Sequence, residues 1–562
     1  MVMGGKHALA RKPRVLEIMC IFLGLFIISS LLLTSVSRRH HSARLVYPSN
    51  FAPEAKTLKA GDWALGDRTL DGLLLPPKAY EPGQCIARSE ESLIRKPSAY
   101  RPSSHLIAKL RDYEVRHKRC APKAVHFSQN GTNSMEDLGD CQFVVWIANS
   151  GLGNRMITIA SAFVYALLTD RVLLLDHNGT DIGGLYCEPF PGTSWLLPEN
   201  YDYRWMDKVV WENDHRLGRL LQSSGYANVT LPAPVPNNYV FANLMHNNDE
   251  HDKRFFCGKV QRQLKRVPLL YWRSNVYVVP GLHFVYPFHR ELDLMFPERD
   301  TVFHHMSRYL FRPSNLVWGT ILRFRQPHLA AAHRQVGLQL RILESNITAP
   351  AVADQLLACV LEKKILPQQS PNTEDKLLSS KTGSTAVLVT SLDEVYYQKL
   401  QNYYLDLPAE GPDYIGVHTP SKEETQQFGF DHDKKAWVDM YLLSLSDTLV
   451  TSPQSTFGYV GQALAGATPW ILTKTKSAET AEETFQEHGY CNRGISLEPC
   501  FHAPPLLDCK GRGPGHALDP SSILHFIKPC EDVLGGVKIM PSTAGDRTDE
   551  RLHQPLSPGI KI

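Results

Sequence analysis

Apolar and polar positions fall into two regular blocks separated by an irregular, aromatic-rich middle. The first block begins near Cys141. QFVVWIA is an unbroken apolar run of buried-strand length, MITIASAFVYALL has the length and composition of a helix, and RVLLLD is a second buried strand ending in Asp176. ANSGLGNRM, residues 148–156, joins the first strand to the helix, so the order is strand, glycine loop, helix, strand: a βαβ unit. Upstream, Pro102 and Ser103 or Ser104 open a helix that runs to Arg119. The middle, 178–317, carries Pro-containing turns, and RDTVFHHMSRYLFRPSNLVWGTILRF reads as helical before Pro313 and again after it.

From Gln335 a second block alternates strand and helix: VGLQLRI, AVADQLLACVLEKKIL, TAVLVTS with a helix to Leu400, YIGVHTP, KKAWVDMYLLSLS, TLVTS, STFGYVGQALAG and PWILT. Gly466 is placed as the C-terminal stop of the last helix. Repeated β then α predicts an α/β protein with doubly wound parallel sheets, in two Rossmann-like halves that face a cleft.

Residues 18–36 contain no charge and span roughly 28 Å as a helix, about one hydrocarbon core. They predict a transmembrane signal anchor between a short cytosolic tail, 1–17, and a polar, proline-containing stem, 37–70. A cleaved signal on a secreted protein is the competing reading. Four N-x-S/T sequons (Asn130, Asn178, Asn228 and Asn346) and all cysteines but Cys20 lie beyond the span, which points to the lumen of the secretory pathway. The halves are expected at 71–330 and 331–540, the second ending in a cysteine-rich segment under disulfide control, followed by a disordered tail, 541–562. Zinc is a weaker reading of that segment, because Cys491, Cys500 and Cys509 form no close CxxC pair. The 562-residue chain is 43% hydrophobic, and its net charge of +3 argues against a nucleic-acid partner.

Three stretches are suited to an anion. Gly151 and Gly153 open backbone amides ahead of a helix N-terminus, with Arg155 adding charge, although Met156 occupies the third glycine position of G-x-G-x-x-G and a simple turn is equally served. Arg341 sits at the end of an apolar strand, where a guanidinium needs an anionic partner, either a phosphate or a carboxylate such as Glu344. TSPQSTFGYVGQ ends a strand at Ser452 and starts a helix that Ser455 or Thr456 would cap. A pyrophosphate-bearing donor accounts for all three. Asp431 and Asp433 in DHD resemble a metal-binding D-x-D, but carboxylates at a helix start need no metal. NDEHDK, 248–253, reads as a solvated or substrate-facing loop. The expectation is no metal site.

At these residues the chain resembles the plant xyloglucan fucosyltransferase family, glycosyltransferase family 37. The matching stretches include GLGNRMITIASAFVYALLTDRVLLLD, YCEPFPGTSWLLP, FPERDTVFHHMSRYLFRPSNLVWG, KAWVDMYLLSLSDTLVTSPQSTFGYVGQALAG and EPCFHAPP. The resemblance implies a GT-B-like fold and a single-pass type II Golgi membrane protein with a lumenal catalytic domain. It implies inverting, metal-independent transfer of L-fucose from GDP-fucose, forming an α-1,2 link on xyloglucan or an arabinogalactan-protein glycan. A homodimer is the assembly carried with it. Arg341 is then the catalytic arginine on the donor pyrophosphate, Ser455, Thr456 and Phe457 the nucleotide loop, and Gly153, Asn154 and Arg155 the glycine loop. Asp252 and Asn275 are the acceptor-side candidates. Asn275 departs from the aspartate the family commonly has, and asparagine cannot act as a base. Two rivals follow. An NAD-dependent oxidoreductase would use the glycine loop with Asp176. A non-catalytic glycan-binding relative would account for Asn275.

Overall fold

Leading and trailing segments aside, the computed structural model describes residues 69–542, except 128–137, 178–179, 199–200, 202–213, 223–230, 233–237, 342–346, 370–382, 407–408, 410–413, 421–428, 476–480, 506–508 and 510–524. The expected tail and anchor, the stem to residue 68, all four sequons and residues 543–562 lie outside the described residues.

The first sheet holds β1 (Phe143–Ile147), β2 (Val172–Leu175), β3 (Tyr239–Leu244) and β4 (Leu269–Ser274), all parallel in the order β2-β1-β4-β3. β1 reads FVVWI without alternation because both of its faces are covered. Val144 and Trp146 join the large core that includes the helix Leu152–Thr169, while Phe143, Val145 and Ile147 join a second core on the opposite face. That helix is apolar on nearly every side and buried accordingly. It is long and apolar enough to cross a membrane, yet it is enclosed by protein.

β3 and β4 fall in the segment expected to be irregular. Their runs, YVFANL and LLYWRS, lie among so many other aromatic and apolar residues that no period separates them. β4 nevertheless takes an inner position, pairing with β1 on one side and β3 on the other.

The second sheet holds β5 (Arg334–Leu340), β6 (Ser384–Ser391), β7 (Tyr414–His418), β8 (Thr448–Thr451), β9 (Trp470–Leu472) and β10 (Cys491–Arg493). Its order is β10-β9-β8-β5-β6-β7, parallel except for β10. From β5 onward the chain fills one side and then returns to fill the other, which is the doubly wound pattern. The expected helices follow: Ala349–Glu362, Val395–Asp406, Phe430–Leu443 and Thr456–Ala465, the last stopped by Gly466 at φ 69°. The Pro313 break also appears, between Val302–Leu310 and Asn315–His328. Ser103 caps the helix Ser104–Cys120 by accepting from the Leu106 amide.

The C-terminal segment closes on a hairpin of β11 (Ile527–Pro529) and β12 (Val537–Ile539). All ten cysteines beyond the anchor are in disulfides: Cys85–Cys187, Cys120–Cys141, Cys257–Cys509, Cys359–Cys491 and Cys500–Cys530. The three cysteines weighed as zinc ligands are therefore already engaged. Cys257–Cys509 ties the C-terminal segment back to the first sheet's region.

Glu498, fully buried, makes a second tie. It accepts hydrogen bonds from the Phe303 amide at 2.7 Å and from the Tyr277 hydroxyl. Burial raises its pKa from 4.5 to about 8, so the folded protein holds it protonated at neutral pH. The unfolded chain binds fewer protons than the fold between these values, so this site's stabilisation is full below 4.5 and is lost as pH rises towards about 8. Glu498→Gln keeps an acceptor for the Phe303 amide and sets an N–H donor against the Tyr277 hydroxyl, which can accept it, without an ionisable group. We expect it to flatten the loss of melting temperature across this window, as measured by thermal denaturation at several pH values. An unchanged slope would remove Glu498 as its source.

Candidate active site

In the second sheet the order of strand addition reverses between the parallel neighbours β5 and β8, and ligands of open α/β sheets bind outside the strand carboxyl ends at such a point. β5 leads there into Arg341, and β8 leads into Ser452 and the helix Thr456–Ala465. In the first sheet the neighbouring central strands are β1 and β4. Their carboxyl ends lead into the glycine loop and Asn275. A cleft forms where these ends meet. Its walls include Gly151 to Arg155, Gln339 to Arg341, Thr390 to Leu392, Thr456 and Phe457, and one face of Phe430–Leu443.

Two helices begin at this cleft, and neither has a side-chain cap. Leu152–Thr169 starts after Gly151, and Thr456–Ala465 starts after Ser455. Ser455 occupies the cap position expected of it, but its hydroxyl does not cap the helix, and it is buried with no hydrogen bond among the described residues. The first amides of both helices thus keep their partial positive charge for an outside acceptor. Gln339 Oε1 is a further buried polar atom with no partner among the described residues.

Gly153 has a different task from the one expected. A Cβ there would lie 2.5 Å from Thr456 Oγ1 and 3.1 Å from the Thr456 carbonyl carbon. The glycine allows the two helix ends to touch. Asn154 secures the junction: its Nδ2 donates to the Asn275 carbonyl at 2.8 Å, and its Oδ1 accepts from Thr456 Oγ1 at 3.4 Å.

Arg155 lines the cleft, but its Nη2 is paired with Asp433 Oδ1 at 2.5 Å and both side chains are buried. Its charge is offset by a carboxylate of the second block, so it is a bridge between the blocks. The DHD carboxylates are accounted for in the same way: Asp433 by Arg155, and Asp431 by Lys434 at 2.6 Å. Arg341 is half-buried just beyond β5, with its amide donating to Ser452 Oγ at 2.9 Å. Burial lowers its pKa from the usual guanidinium value.

The acceptor-side candidates fare differently. Asp252 is fully buried; its Oδ2 accepts from Arg216 Nε at 2.7 Å and its Oδ1 from the Gly218 amide at 2.9 Å. Its carboxylate is spent on holding the loop before β3, and it does not line the cleft. Asn275 stands beside the glycine loop, with Oδ1 accepting from the His246 amide at 2.9 Å and Nδ2 bonded to His246 Nδ1 at 2.7 Å. Asp176, the residue an NAD site would use, is buried beyond β2 and does not line the cleft. Sequence reasoning missed Gln339, Thr390, Ser391 and Asp439. The first three are polar positions near the carboxyl ends of otherwise apolar strands, a signal open to reading. Asp439 is signalled by nothing local.

Residues 49–510 match the family described as Xyloglucan fucosyltransferase. The chain is 39% identical over 484 residues to the galactoside 2-alpha-L-fucosyltransferase of Pisum sativum, covering 85% of this chain and 82% of that relative. It is 40% identical over 488 residues to fucosyltransferase 2 of Arabidopsis thaliana, covering 84% and 87%. A solved structure of an arginine-to-lysine mutant of Arabidopsis thaliana FUT1 in complex with GDP superposes with a TM-score of 0.74 at 38% identity, covering 84% of this chain and all of that one.

Gly153→Ala tests the junction directly. Forcing a methyl group between Gly153 and Thr456 should destabilise the fold by roughly 1–3 kcal/mol. Denaturant unfolding that leaves the midpoint unchanged would show that the helix ends separate freely.

Proposed function

From the premise that the chain belongs to the xyloglucan fucosyltransferase family, we propose that it transfers L-fucose from GDP-fucose to the 2-hydroxyl of a sugar in a cell-wall glycan, xyloglucan or arabinogalactan. The reaction is inverting and needs no divalent metal. Residues 18–36 anchor it as a type II protein of the Golgi membrane, with the described residues in the lumen. Five disulfides suit that oxidising compartment.

The observation that carries this reading is the meeting of Arg341 with two uncapped helix N-termini at a strand switch point. In a single displacement the acceptor oxygen bonds to the anomeric carbon of fucose as the bond to the GDP oxygen breaks. Negative charge then collects on the diphosphate. Arg341 and the amides at the start of Thr456–Ala465 are fixed in place before that charge develops, so they stabilise the transition state without reorganising. They supply the neutralisation that a metal supplies in other transferases. The acceptor proton is released to water; with a leaving group this good, a dedicated base adds little. In this reading Asp439, a carboxylate on the cleft wall, accepts the paired N–H donors of guanine. Gln339 offers a buried polar atom on the cleft wall to the donor's hydroxyl and phosphate groups.

A second reading rests on Asn275, whose amide is engaged with His246 and brings no carboxylate to the acceptor side. In it the chain binds GDP and glycan without turnover.

The chain expressed in a secretory host, given labelled GDP-fucose and a panel of galactose- and arabinose-terminated oligosaccharides with and without EDTA, separates the readings. We expect fucosylation that persists in EDTA, and a loss of roughly 10²–10³-fold in kcat for Arg341→Ala. GDP binding with no product on any acceptor favours the second reading. A strict Mn²⁺ requirement, or full activity in R341A, would refute the arginine-centred mechanism.

A further inference from the structure

The helix Thr456–Ala465 is held at its far end by residues from the opposite block. A helix leaves its last four carbonyls without intrahelical partners, and here each has a partner. Gln462 O accepts the amides of Gly466 at 2.9 Å and Ala467 at 3.2 Å. Ala463 O is bonded to His304 Nδ1 at 2.6 Å, Leu464 O accepts from Arg308 Nε at 2.8 Å, and Ala465 O accepts from Arg308 Nη2 at 3.5 Å. His304 and Arg308 lie one turn apart on Val302–Leu310, and both are buried. The Ala463 carbonyl can only accept, so Nδ1 is the donor, and Nε2 accepts from Ser98 Oγ at 2.8 Å. Gly466 is in the left-handed region, and a Cβ there would stand 2.8 Å from the His304 ring.

A guanidinium at the carboxyl end offsets the negative pole of the helix dipole. The positive pole at the other end faces the cleft. The side chains at one end and the Gly153 contact at the other leave the helix little freedom to slide along its axis.

We propose that Arg308 and His304 are positioning residues for the donor diphosphate. They set the axial position of Thr456–Ala465 and hence the place of its N-terminal amides beside Arg341. Neither touches the donor. This proposal rests on the reading of the cleft as a GDP-fucose site.

The test uses the full chain and three variants, Arg308→Gln, Arg308→Lys and His304→Asn, with GDP binding by calorimetry and initial rates varied in each substrate. Arg308→Gln should weaken GDP and raise KM for GDP-fucose by roughly tenfold or more, because small misplacements of binding groups are costly. The acceptor KM should hold. Arg308→Lys, which keeps the charge and one donor, should recover part of the loss. His304→Asn, which keeps a donor to Ala463, should fall between wild type and Arg308→Gln. Wild-type GDP affinity in a folded Arg308→Gln overturns the proposal, as does an equal rise in KM for both substrates. Failure of all three variants to fold also overturns it by assigning the clamp to folding alone. Failure of the wild-type chain to bind GDP removes the donor reading itself, and this proposal with it.

Discussion

Thr456 approaches Gly153 so closely that no side chain fits between them. Two helices, each leaving the carboxyl end of a central strand, can meet end to end only because the second residue of one of them, Gly153, lacks a Cβ. The consequence is electrostatic. Two positive helix poles and a guanidinium face one cleft, and like charges brought together this way favour an anion between them. The glycine loop thus contributes to anion binding by letting the backbone of one helix approach the other, and its own side-chain cation is partly offset by Asp433 on the same cleft wall.

The Arg155–Asp433 pair offsets that cation on one side, through Nη2, while Nε and Nη1 make no hydrogen bond among the described residues. Both groups are nearly excluded from water, and each is the other's charge partner. Removing one partner of such a pair costs about 3–5 kcal/mol, whereas replacing both by apolar groups can be neutral. Its contribution is therefore one of register: it joins the glycine-loop helix to Phe430–Leu443. Together with Asn154, His304 and Arg308, it makes the cleft walls a single construction drawn from both sheets.

Much of the fold was legible in the chain. Buried parallel strands such as FVVWI and VLLL are short unbroken apolar runs, the helices between them show their length in the sequence, and Gly466 stops the last where expected. Arg341 and the S-T-F turn stand out in the chain because each breaks a local rule, a cation at the end of an apolar strand and hydroxyl groups at a strand-to-helix turn, and the structure puts Arg341, Thr456 and Phe457 on the cleft wall. β3 and β4 were not legible, since an apolar run in aromatic-rich surroundings becomes a strand only by finding a partner. Asp252 was misjudged for the same reason, because a carboxylate in an acidic loop looks solvated until Arg216 is brought to it from a distant segment.

Local chemistry along the chain was enough to specify the alternation of strand and helix, the two blocks and the places where an anion would be welcome, because these depend on residues close in sequence. Which cations remain for that anion depended on pairings across hundreds of residues, such as Arg155 with Asp433. So did the exposure of the helix ends and the clamp on the second helix. Burial and Coulomb interaction act through space, and only the folded chain sets those distances.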